Sequence, residues 1–181
     1  PHKLKGVPLT CSALLTPHLG ALTKTCSYIK SAHYLFHEPG EEYDLGRKSL
    51  QCGRRVDALK LWIEWKSCGT AGWRNRVDHY VELAIELENL VEEHPDLELV
   101  CERAFTNICL RYTGQMSDVD DINLFNRKLR HKMVQDGNFM VSLANVGSKV
   151  VLRPVICNPA IDSESLRGFI DEIVDIASTI D

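Results

Sequence analysis

The sequence predicts an α/β chain that ends in a small α+β domain, its helices laid against a mostly antiparallel sheet. Three observations lead there. From residue 76 onward the apolar pattern runs helix, strand, strand, helix, strand, strand, helix, an order that folds as helices packed on a sheet of hairpin-like strands. Gly69 in "CGTAGW" (68–73) is placed to end a helix, which divides the chain into residues 1–69 and residues 70–181. The length of 181 residues allows one good core or two small lobes.

Each element has its own signal. "VPLTCSALL" (7–15) is expected as a short buried strand, and residues 17–30 as a segment of helical character. "HEPGEEYDLGRKS" (37–49) is polar, carries two glycines and a proline, and is too long for a tight turn. Loops of that kind tend to be functional or mobile. In "RVDALKLWIEWK" from Val56, apolar residues fall on more than one side, so this helix is expected to be well buried. "RVDHYVELAIELENLVEEH" (76–94) sets Val77, Tyr80, Val81, Ala84, Leu87 and Val91 along one stripe, and Pro95 stops it. The strands "LELVCE" and "FTNICLRY" follow, the second alternating at Thr106, Ile108, Leu110 and Tyr112. "SDVDDINLFNRKLRHKMVQDG" is expected as an acid-first, base-last helix closed by Gly137. "NFMVSLA" and "KVVLRPVIC" are strands around Gly147, and "SESLRGFIDEIVDIAST" is a final amphipathic helix.

Bulk properties exclude several classes. A formal net charge of −4 lacks the basic excess of a nucleic-acid binder. No apolar run approaches the roughly 18–20 residues of a bilayer span. The seven cysteines are odd in number, irregularly spaced and mostly set in apolar segments, with no C-x-x-C pair. That reads as buried thiols in a reducing, cytoplasmic compartment rather than as a disulfide framework or a zinc knuckle. His18, His33, His37, His79, His94 and His131 show no metal-gathering spacing, and Trp62, Trp65 and Trp73 read as packing residues.

Two residues stand out chemically. Lys3 follows His2 and precedes an apolar stretch. It reads either as a surface residue or as an amine able to attack an aldehyde cofactor once neighbours lower its basicity. Arg153 lies in "SKVVLRPVIC", among Val, Leu and Ile. It reads either as an edge-strand residue, with Pro154 marking the edge, or as a buried cation that needs an anionic partner.

The strings "PHK", "GVPLTCSALL", "YLF" and "YDLGRKSLQCGRRVDALKLWIEWKSCGTAGW", continued by "FTNICLRY" and "LRPVICNPA", resemble the pyridoxal-phosphate group II amino-acid decarboxylases. Nearest are the glutamate, cysteine-sulfinate and aspartate decarboxylases, and "QCGRRVDALKLW" is the most diagnostic string. The resemblance implies the end of a fold type I large domain in residues 1–69 and the small C-terminal domain in 70–181. It implies that Lys3 holds pyridoxal 5'-phosphate covalently with His2 beside it, and that Arg153 binds a substrate carboxylate. Pro154 departs from the family pattern. Tyr43 aligns either with the family's loop tyrosine, which protonates Cα, or with a second, non-catalytic tyrosine. The expected activity is α-decarboxylation of a small acidic amino acid by a homodimer. The family's remaining cofactor ligands precede the lysine, so this stretch is expected to be inactive alone, completed by an upstream segment of the same protein or by an N-terminal chain. A non-catalytic dimerisation or binding remnant is the alternative.

Overall fold

The structure is a computed structural model in which residues 2–26, 45–51 and 53–180 are described. It divides into two compact units, one formed by Pro1–His2 with Val7–Glu64, the other by Lys3–Gly6 with Trp65–Asp181.

In the first unit, residues 7–15 are not a strand. A strand is stable only when its backbone groups find a neighbouring strand, and among the described residues of this unit there is none. Leu9, Leu14 and Leu15 are exposed. Helix α1 is the short Ala21–Cys26, and a 3-10 turn covers Gly46–Lys48. Helix α2, Asp57–Glu93, begins here. Its first residue accepts a hydrogen bond from Thr10 Oγ1 at 3.0 Å, while Lys60 Nζ bridges Asp57 at 2.8 Å and donates to the Thr10 carbonyl. The hydrogen bonds from Lys60 and Thr10 hold the Asp57 carboxyl below its ordinary range.

The expected burial of α2's first turns does not occur: Val56, Leu59, Trp62 and Ile63 are all exposed. Apolar residues on several sides show that a segment gains by being covered; they do not show that the cover lies nearby in sequence.

The second unit contains the core. The break expected at "CGTAGW" shrinks to one residue. Gly69, at φ 65° and ψ 177°, kinks α2, and helix resumes at once. That backbone region is essentially open to glycine alone. Tyr80, Leu83, Ala84, Leu87 and Val91 then form the buried stripe. Strands β1 (Leu97–Leu99), β2 (Leu110–Tyr112), β3 (Ser142–Val146) and β4 (Lys149–Arg153) make one antiparallel sheet in the order β1-β2-β4-β3. Helix α3 (Val119–Asp136) is capped by Asp118, whose side chain accepts from the Asp120 and Asp121 amides, and ends on Gly137 at φ 80°. Its first turn is acidic as expected, but its last turn carries no base. Helix α4 (Ser163–Ala177) starts from Asp162, which accepts from the Ser165 amide.

α2, α3 and α4 close over one face of the sheet, joining Leu87, Leu129, Met133, Ile173 and Leu152 in a single core. Asn126, fully buried on α3, ties helix to sheet: it accepts from the Tyr112 amide at 2.9 Å and donates to the Tyr112 and Ile122 carbonyls.

Candidate functional site

Lys3 opens a tight turn whose Gly6 amide donates to the Lys3 carbonyl at 3.3 Å, with Gly6 at φ 61°. The Lys3 and His2 side chains are exposed. Leu4 packs against the core of the second unit, so the turn is anchored beside Lys3 while the amine itself stays open.

Arg153 is not an edge-strand residue. β4 lies between β2 and β3, and Arg153 is paired with Ser142. Strand alternation puts Leu152 on the core face and Lys149, Val151 and Arg153 on the opposite face. On that face Glu98 accepts from Arg111 Nη2 at 2.6 Å and from Lys149 Nζ at 2.7 Å. Burial works to raise the Glu98 carboxyl, but the two cations outweigh it and hold the group below its ordinary range. Cys109 is nearby: burial pushes its thiol up, Cys101 adds to the rise, and the Arg153 charge acts in the other direction.

Arg153 takes no part in the Glu98 cluster. Its Nε is buried and has no hydrogen-bond partner among the described residues. A buried guanidinium N–H without an acceptor is costly, and a carboxylate is an acceptor that a guanidinium can meet in two parallel bonds. No hydrogen bond or ion pair joins Lys3 to Arg153 among the described residues. Tyr43 lies outside the described residues.

Trp65 and Trp73 do more than pack. Lys5 Nζ stands 4.0 Å from the Trp65 ring centre and 4.9 Å from that of Trp73. Composition gave no sign of this; the available signal was a lysine two positions after Lys3 in an otherwise apolar run, with two tryptophans downstream. The Glu98–Arg111–Lys149 cluster was likewise invisible, because its members meet only through strand register. Among the described residues no group of three or more His, Cys, Asp or Glu side chains could hold a metal ion, and no helix is long and apolar enough to cross a membrane.

Residues 1–113 match the pyridoxal-dependent decarboxylase conserved domain. The acidic amino acid decarboxylase GADL1 of Mus musculus is 33% identical over 185 residues, taking in 96% of this chain and 34% of that protein. The crystal structure of mouse CSAD superposes with a TM-score of 0.88 at 27% identity, over 99% of this chain and 39% of that one. Oryza sativa TDC with PLP and tryptamine gives 0.69 at 25% identity, over 75% of this chain and 29% of that one. The chain therefore spans between about a third and two fifths of GADL1 and CSAD.

Pyridoxal phosphate, the cofactor these relatives imply, offers an aldehyde to an amine and leaves the substrate carboxylate to be held by the protein. The open Lys3 amine and the unsatisfied Arg153 Nε fit those two needs. With the conserved domain matching residues 1–113, more than half of the chain, and the fold shared with solved relatives, the chain belongs to the pyridoxal-dependent decarboxylase family.

Proposed function

We propose that the chain is the C-terminal portion of an enzyme that α-decarboxylates a small acidic L-amino acid: glutamate, cysteine sulfinate or aspartate. In this reading residues 1–69 complete the cofactor-binding large domain, residues 70–181 form the small domain, and the whole protein is a cytoplasmic homodimer. Family membership and the likeness to GADL1, named as an acidic amino acid decarboxylase, support it.

When bound, pyridoxal phosphate draws electrons from the substrate α-carbon into its ring. Lys3 would hold the cofactor through its Nζ, with His2 beside it. Arg153 grips the α-carboxylate and fixes the orientation of the bond from Cα to that carboxyl, the bond that breaks as carbon dioxide leaves. Tyr43 returns a proton to Cα from its phenol, a group suited to donating in a partly dry site. The unpartnered Nε of Arg153 is the observation that carries the reading.

The test uses the full-length protein. Reduction with borohydride in the presence of pyridoxal phosphate, followed by peptide mass analysis, should place the cofactor on Lys3, and Lys3→Ala should abolish the label. Arg153→Gln should lower kcat/KM for the acidic substrate by about a hundredfold or more, the scale of losing a buried charge pair. Carbon dioxide release without keto-acid formation separates decarboxylation from transamination. An unlabelled wild-type protein would leave the non-catalytic binding module as the better account.

A further inference from the structure

We propose that Lys5 is a positioning residue: its ammonium, set against the rings of Trp65 and Trp73, fixes the turn that carries Lys3. The inference rests on Lys3 being the cofactor lysine. It starts from the shape of the turn. Lys3 is its first residue, the Gly6 amide closes it, and the two residues between are anchored differently, Leu4 in the core and Lys5 on the indoles. A lysine amine rides on a flexible four-carbon stem. Its placement therefore depends on how firmly the main chain beneath it is held.

The aromatic site is created by the kink. Trp65 and Trp73 are eight residues apart, which in a straight helix separates them by about 12 Å along the axis. With Gly69 out of helical conformation between them, their ring centres lie 6.4 Å apart at an interplanar angle of 49°. Arg76 also reaches across, its guanidinium 4.8 Å from the Trp73 ring and its Nη2 3.6 Å from Cys68 Sγ. Trp73 is buried with its Nε1 lacking a hydrogen-bond partner among the described residues, so cations near the ring, not a bond at its edge, supply its polar contacts.

Lys5 is half-buried, and no carboxylate pairs with it among the described residues. An ammonium partly withdrawn from water needs compensation, and indole faces are the strongest aromatic partners for a cation. A stem merely lying on apolar surface would be served equally well by methionine. A clamp that needs the charge would not be.

The experiment titrates pyridoxal phosphate into the full-length apoprotein, follows the visible absorbance of the lysine-bound cofactor, and maps the reduced label by mass. Lys5→Met should weaken cofactor binding by about five- to tenfold, the scale of one cation–π contact, with the label still on Lys3. Lys5→Arg should restore most of the affinity. Trp65→Leu should weaken binding similarly, and combining it with Lys5→Met should add little. Near-UV circular dichroism of the indoles checks that each variant is folded. Wild-type affinity in folded Lys5→Met, or failure of Lys5→Arg to rescue, overturns the clamp while leaving Lys3 in its role. Absence of any label on wild-type Lys3 overturns the cofactor reading and the clamp with it.

Discussion

Glu98 accepts from cations on two other strands, Arg111 on β2 and Lys149 on β4, and so links three of the four strands through one carboxylate. Its carboxyl is held below its ordinary range in the folded state. A depressed carboxyl contributes stability in full above its unfolded value, about 4.3, and loses that contribution as pH falls through the folded value. Acid unfolding of the wild type should therefore steepen below about pH 4, and Glu98→Gln should remove that part of the pH dependence. At neutral pH the same variant leaves the buried Arg111 short of its partner. A loss of roughly 1–3 kcal/mol is expected by chemical denaturation, moderated because Glu98 itself is partly exposed. Asn126 gives a second test at this scale. Asn126→Leu strips partners from both the amide and the carbonyl of Tyr112 inside the core, and about 2–4 kcal/mol should be lost in the same measurement. Neither residue was distinguishable in the sequence, where each is one polar side chain among many.

Helix α2 shows how a single backbone position organises an element. A Cβ at Gly69 would meet nothing within 4 Å, so a substitution there is opposed by conformation and not by crowding. Gly69→Ala should cost on the order of 1–3 kcal/mol by thermal or chemical unfolding. Because the same kink brings Trp65 to Trp73, the variant should also change the near-UV circular dichroism of the coupled indoles. The glycine was recognisable in the sequence as a break. That the chain would bend and continue as helix was not, since a helix stop and a helix kink use the same residue. The strand expected at residues 7–15 failed for a related reason: apolar character without a partner edge does not make a strand.

For the whole molecule, the two units differ in how they treat apolar surface. The second unit closes a core shared by three helices and the sheet. In the first, Leu14, Leu15, Leu19, Trp62 and Ile63 are more than half exposed. Large apolar side chains left this exposed gain by being covered. Residues 1–181 produced alone should therefore bind a hydrophobic dye and scatter light at micromolar concentration, and the full-length protein should do neither.

The sequence by itself determined the succession of elements after residue 76, the helix end at Gly137, and the chemical singularity of Arg153 among aliphatic neighbours. All of these are local matters of periodicity, turn chemistry and residue type. Only the tertiary structure decided that Arg153 stands on a central strand with Nε unsatisfied, that Glu98 gathers two cations, and that Lys5 meets two indoles. Those facts depend on strand order, register and the angle of one kink, which bring together residues up to 68 positions apart in the chain, such as Lys5 and Trp73.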